Sequence, residues 1–506
     1  MHAQPPDDGA SAELARARPA RSMTLRTVLD AVVQQSPDLS RAATDVAMAE
    51  ADVLAAMGTD DWLLSLTGAW VSNRSEFLEG QPFQTLATDS LSASAELSRA
   101  LSTGGTFKLD LDGSYSETTL AVLSVNPDTM QVERFDLDAG AVSSSLIASI
   151  TQPLLGGRGQ RVARAEQRRT RIARDASALQ REIVALDTIR DVIRAYWELA
   201  YASQAVDIQR GSLELAREQL RITEAAVRNR VSAPSEILAV RHAIAVREQT
   251  VMLAEVEVSE RSLALRRLAG LETGPGEIDI AATDALVGQP GPGQPGAPVI
   301  DLDATIAQAR ASNPRLALAR TSGDTAAIGE ELARDALRPR LDFTAQIGPT
   351  GNATEAGDTL RQVGTFQAYT AGASLTYTSA LGQRLARGGR DLAREVTQRA
   401  RIDLAEAERE LAVSVVRAVD LVRMARKRID VSVLAVQLAE QNLASERTLF
   451  QAGEARNFDI LERQDELAQA QLSRERAIAD YHQAVTDLEA LTGDLLPHHG
   501  VDLIDR

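Results

Sequence analysis

The sequence predicts a mainly α-helical protein carrying strand blocks, built from a unit that occurs twice: helix, strands, very long helix, turn, returning helix. Three observations predict it. First, residues 159–270 fall on residues 382–493 at a constant offset of 223 without a gap, Gly159-Gln160-Arg161 on Gly382-Gln383-Arg384 and Leu265–Gly270 on Leu488–Gly493. Second, both copies carry an apolar residue every seven positions. Val192, Leu199, Val206, Leu213, Leu220 and Val227 answer to Val415, Val422, Ile429, Val436, Leu443 and Phe450. A sustained seven-residue repeat is a stripe on a helix that packs along another helix. Third, ahead of each long helix the text turns to short alternation of Leu with Ser, Thr and Gly, which has the period of strands.

Residues 1–22, rich in Pro, Ala, Arg and Asp, read as disordered. The first repeat spans 23–273. It opens on a helical pattern, Leu25, Val28, Leu29, Val32 and Val33, interrupted at Ser36-Pro37, where Ser36 is placed to cap the next helix with Pro37 at its first position. The pattern returns at 301–338, where Asn313-Pro314 matches Ser36-Pro37 at an offset of 277. The larger offset puts 54 extra residues into the strand block of the first half.

Strands are expected within 62–152: Leu64–Trp70, Leu91–Leu97, Phe107–Tyr115 and Ser143–Gln152. Thr103-Gly104-Gly105 reads as a hairpin turn and 119–141 as a polar loop. The second half has a shorter block within 340–378, Leu341–Ile347 and Tyr369–Tyr377 around a polar loop. One face of these strands is modestly apolar and the other small or polar. One chain has too few strands to close a sheet, but several chains sharing a barrel would leave no free edge. The long hairpins are 159–270 and 382–493, turning at Val231–Pro234 and Ala452–Glu454. Pro234 suits the first turn of a returning helix that carries Ile237, Ile244, Val251, Val258 and Leu265. Residues 274–300, with repeated Pro-Gly, read as the linker; 301–495 form the second repeat and 496–506 a tail.

Composition removes several function classes. The net charge of −17 opposes a nucleic-acid partner. The absence of cysteine excludes disulfides, thiolate metal sites, a thiol nucleophile and a Cys-linked lipid anchor. No run of about 18 apolar residues is present, which excludes a transmembrane helix but says nothing against a β-barrel. Aromatics make up 3% of the chain, ordinary for long Ala/Leu/Arg/Glu helices. The N-terminus lacks the apolar segment of a signal peptide, yet His2-Ala3-Gln4-Pro5 looks like the end of a cleavage site, so the start reads as truncated or mis-assigned.

With this order of elements the chain resembles the TolC-type outer-membrane efflux proteins over residues 24–495. Local text adds to the likeness: Gln152-Pro153-Leu154-Leu155-Gly156 before the first long helix, and Phe450-Gln-Ala-Gly453 leading to Asp459-Ile-Leu461. The resemblance implies a homotrimeric α-barrel continuous with an outer-membrane β-barrel. It further implies a passive exit duct of a tripartite efflux pump or type I secretion system, with no catalysis and no cofactor or metal. Its partners would be outer-membrane lipid, a periplasmic adaptor and an inner-membrane pump. Four strands per chain would give 12 in the trimer, and an inserted hairpin 18.

The resemblance assigns the pore aperture and its cation selectivity to Asp459 and Glu462, three apart and so on one helix face. The bland alternative is acids at a helix start, favoured by its dipole. Tip closure or adaptor docking falls to Arg456, Gly453 and Phe450 at the second turn, and to Arg230, Val231, Ser235 and Glu236 at the first. The first turn lacks the Gly expected near Arg230. The alternative from another class is a soluble periplasmic coiled-coil scaffold or adaptor.

Other signals are set aside. Gly156–Gly159 has no Lys-Ser/Thr after it and reads as a strand-to-helix turn, not a phosphate cradle. His242, His482, His498 and His499 have no ligand-like spacing with acids, the pair His498-His499 offering at most a tail site for stray metal, and Asp60-Asp61 reads as loop rather than an acid/base pair. Trp62, Trp70, Phe77, Phe83 and Tyr115 fit either an aromatic belt or ordinary packing.

Overall fold

The computed structural model describes residues 20–78, 81–125, 127, 130–229, 233–271, 279–282 and 300–501. In chain order these form β1 (Ala20–Met23), α1 (Leu25–Gln35), α2 (Pro37–Met57), β2 (Leu63–Arg74), β3 (Phe83–Ala100), β4 (Thr106–Val125), β5 (Val132–Pro153), α3 (Gln160–Ala163), α4 (Ala165–Arg228), α5 (Ser235–Leu268) and β6 (Asp279–Ala282). The second half follows with α6 (Leu302–Ser312), α7 (Pro314–Asp335), β7 (Arg340–Ala353), α8 (Ala356–Thr365), β8 (Ala368–Thr378), α9 (Arg384–Gln451), α10 (Asn457–Thr492) and α11 (Leu495–His498). The elements are mostly helical, and the chain divides into two compact units. One is helical and holds residues up to 47, 176–320 and from 403 on; the other bears the large sheet and holds 48–175 and 321–402.

In the helical unit the seven-residue stripes are the buried faces. Val192 and Leu199 of α4 and Val415 of α9 are completely buried, and Val206, Leu213, Val422, Val436 and Leu443 nearly so. The largest core gathers Val28, Leu29 and Val32 of α1, Ile189, Ile193 and Tyr196 of α4, Leu265 of α5, and Leu495 of α11. Each such side chain contributes about 1.5–3 kcal/mol of transfer free energy. The Tyr196 hydroxyl, buried with it, donates to the Met23 carbonyl at 3.2 Å. Helix α7 is capped by Asn313, whose Oδ1 accepts from the backbone N–H of Arg315 and Leu316 at 3.0 and 3.2 Å. The Ser36 hydroxyl, expected to do the same for α2, makes no such bond; its N–H donates to the Val32 carbonyl and its carbonyl accepts from Ser40. In the stretch read as linker, Asp279–Ala282 pairs in parallel with Ala20–Met23.

The strand-bearing unit is one antiparallel meander of six strands, ordered β2-β3-β4-β5-β7-β8. All six segments expected as strands lie inside it, and the turn at Gly104, φ +90°, joins β3 to β4. The expected loop at 119–141 is a correction. Strand β4 runs on to Val125 and β5 begins at Val132, paired through Thr118↔Ala139 and Leu120↔Leu137. In these outer halves Leu120 and Val122 stand opposite Leu137 and Phe135 on the face that carries Asp112 and Ser145 further along, so their alternation is out of phase with the strand cores. The extra residues of the first half are therefore sheet, giving four strands against two in the second half.

Register sorts the side chains. One face aligns Leu66 with Ala95, Leu111 and Leu146 across four strands. Trp70, Leu91 and Tyr115 form a row at one level, and Leu375 and Tyr377 continue the face on β8. The opposite face holds Ser94 beside Asp112 and Ser145, and Thr151 beside Thr344. Leu66 and Trp70 are 73% and 70% exposed in the single chain, a face left open among the described residues. Among the described residues, strands β2 and β8 each have one edge without a partner strand in the sheet.

Candidate functional site

The two hairpin turns of the helical unit hold the residues that the sequence singles out. Helix α9 ends at Gln451. Gly453 then adopts φ +79°, a backbone angle that glycine enters without Cβ strain, and the Glu454 N–H reaches back to the Leu449 carbonyl at 2.9 Å. Phe450 packs on a cluster of Val436, Leu443, Ile460 and Leu467. The chain re-enters helix at Asn457. Asp459, at the third position of α10, accepts the Arg456 backbone N–H at 2.9 Å, which satisfies one of the helix's orphan donors. The Arg456 guanidinium is on the exposed side. Glu462 lies one turn on, half exposed, 3.6 Å from Arg463. Asp459 and Glu462 thus share a helix face, as their spacing requires, but the Asp459 carboxylate is also part of the cap.

At the other turn, Ser235 is exposed and Glu236 half-buried at the start of α5. Arg230 and Val231 lie outside the described residues. The structure joins the turns through a residue that the sequence reading passed over. Asn457 is 1% exposed, and its Oδ1 accepts from Gln219 Nε2 and Thr223 Oγ1 of α4, both at 2.7 Å. Its amide donates to Glu236. Three helices therefore meet on one buried amide, every polar group of which has a partner.

About three turns further along α5 sits a second junction. Arg247 is almost completely buried. Its Nη1 donates to Gln464 Oε1 at 2.8 Å and to the Ser212 carbonyl at 3.1 Å. Its Nη2 donates to Asp465 Oδ1 at 2.7 Å and to the Leu461 carbonyl at 3.2 Å. The fork geometry of guanidinium suits this convergence. A signal for Arg247 exists in the sequence: it falls between Ile244 and Val251, on the stripe that should be apolar. Gln219 and Thr223 likewise form an i, i+4 polar pair on the packed face of α4. A cavity of about 740 Å³ opens beside these groups, lined by Gln219, Ile222, Glu236, Arg447, Phe450 and Arg456 among others.

On the sheet, the polar face forms a second hollow of about 700 Å³ bounded by Ser92, Ser94, Asp112, Ser114, Ser143 and Ser145. Lys108 pairs with Glu96 at 2.8 Å on this face. On the apolar face Trp62 sets its ring edge-on to Phe107, centroids 5.9 Å apart.

Residues 305–494 match the model of the outer membrane efflux protein family. No curated protein sequence matches the chain. Several solved structures share its fold. The Campylobacter jejuni CmeC outer membrane channel aligns with TM-score 0.63 at 14% identity, over 93% of this chain and 86% of that one. The Vibrio cholerae outer membrane protein VceC aligns at 0.62 and 16%, over 93% and 96%. The open state of the Neisseria gonorrhoeae MtrE outer membrane channel aligns at 0.61 and 16%, over 93% and 89%.

Proposed function

Since residues 305–494 match the outer membrane efflux protein family, we propose that the chain is the outer-membrane channel subunit of a tripartite efflux pump or type I secretion system. It is a passive duct: the energy comes from an inner-membrane pump, reached through a periplasmic adaptor. It works as a homotrimer in the outer membrane, with a periplasmic helical extension.

The observation that carries this reading is the two-faced sheet with two open edges. A soluble protein covers a face bearing Leu66, Trp70, Leu375 and Tyr377 and does not leave long strand edges bare. Lipid covers such a face, and copies of the same chain pair the edges, β2 of one with β8 of the next. Six strands per chain make 18 in the trimer. At a strand spacing of about 4.8 Å and a tilt of about 40°, such a barrel is about 36 Å across its backbone, against about 24 Å for 12 strands. Nothing observed favours a soluble scaffold. The test is extraction followed by electron microscopy. The chain should require detergent, resist mild SDS as a trimer and show a hollow axis; a monodisperse particle in plain buffer with no axial channel would overturn the reading.

At the tip, three copies bring Asp459 and Glu462 around one axis, where six carboxylates bind cations and filter charge. Arg456, Gly453 and Phe450, with Arg230, Val231, Ser235 and Glu236, make the surface for closure or adaptor docking. Asp459→Asn combined with Glu462→Gln should weaken divalent-cation block of single-channel current. Glu462→Gln alone removes charge without touching the cap at Arg456, which is worth about 1 kcal/mol. Block that is unchanged in both variants would remove the ring assignment.

A further inference from the structure

The tail histidines, which sequence spacing sets aside, acquire a third partner in the fold. Helix α10 stops at Gly493, whose φ of +78° reverses the chain, and the Asp494 N–H bonds the Glu489 carbonyl at 3.0 Å. Leu495 and Leu496 are then buried in the main core, which fixes α11. That anchoring swings His498 and His499 back over the last turn of α10. His498 Nδ1 lies 2.6 Å from Glu489 Oε1, and His499 Nε2 3.8 Å from Glu489 Oε2. One ligand atom from each of the three residues can be chosen so that all lie within 4.8 Å of one another.

We propose that Glu489, His498 and His499 bind one divalent transition-metal ion of the zinc class, fastening the C-terminal turn to α10. Two imidazoles and one carboxylate suit zinc, copper(II) or nickel(II) rather than calcium or magnesium, which want oxygen only. Around a tetrahedral zinc, neighbouring ligand atoms sit about 3.3 Å apart, and the two separations here bracket that value. Water fills the remaining position, since His498 is open to solvent. Burial holds His499 below the usual imidazole range, with His498 acting in the same direction. Burial raises the Glu489 carboxyl, against which His498 works. Asp494 is engaged by Gln308 and Thr492 and is not part of the set.

Zinc titration of the untagged, detergent-solubilised full chain by calorimetry tests this. One zinc should bind per chain. Affinity should fall at least about 100-fold in His498→Ala and in Glu489→Gln, each of which removes a ligand, and should not change in His242→Ala. His498 is largely exposed, so its variant folds, and circular dichroism verifies that. Zinc heats in the intact chain no larger than in the His498→Ala, His499→Ala double variant, or retained by every single variant, would overturn the site. The outcome is independent of channel activity.

Discussion

Leu111→Arg should abolish or severely weaken assembly of the trimer, while Asp112→Arg, at the next residue, should assemble normally. The two side chains leave β4 on opposite faces. Leu111 aligns with Ala95 and Leu146 on the apolar face, Asp112 with Ser94 and Ser145 on the polar one. An arginine on the lipid side of a barrel costs about 2–4 kcal/mol near the bilayer midplane, per chain, and three chains carry it. On the lumen side the same residue is wetted and sits among acids, Glu96 and Asp110 aligning on the same face. It should cost under about 1 kcal/mol and move ion selectivity toward anions instead. Heat-modifiability on SDS gels reads assembly, and reversal potentials in planar bilayers read selectivity. Equal assembly of the two variants would mean that the faces are assigned wrongly.

Much of this was legible in the sequence because periodicity is a direct record of burial. The residues of the seven-fold stripe that are most buried, Val192, Leu199 and Val415, are those that the period picks out. The six strand cores were legible for the same reason at period two. What stayed hidden was the outer half of β4 and β5. There Leu120, Val122, Phe135 and Leu137 line up on the face that is polar along the strand cores, so the alternation falls out of phase with them. The tip was half legible. Gly453 and Asp459 stand in text that marks a turn and a helix start. Asn457 carries no local sign of its role, because its partners Gln219, Thr223 and Glu236 lie more than 200 residues away. Glu489 was missed for a related reason: its distance from His498 fits no ligand spacing until Gly493 reverses the chain.

Arg247→Ala should open the hairpin junction of the helical unit far more than its surface counterpart does. The Arg247 side chain is 6% exposed, and its donors satisfy Gln464 and two main-chain carbonyls as well as Asp465. Its removal leaves the buried Gln464 oxygen without that partner and a void where the aliphatic stem packed. Asp465, 68% exposed, is rehydrated at little cost, so the loss falls mainly on the buried acceptors. The expected destabilisation is about 3 kcal/mol, at the low end for breaking a buried charged network. That corresponds to roughly 150-fold in a local opening equilibrium, read as faster amide hydrogen exchange in α5 and α10 around residues 247 and 464. Arg241, well exposed and 3.2 Å from Glu224, is the control, and its alanine variant should shift exchange by under about 0.5 kcal/mol. Arg247→Met separates packing from polarity. It keeps the apolar stem but not the fork, so about half of the loss should remain if the hydrogen bonds matter as argued. Full recovery in the methionine variant would assign the junction to packing alone, and a channel whose conductance follows the arginine rather than the volume would tie this buried fork to the tip.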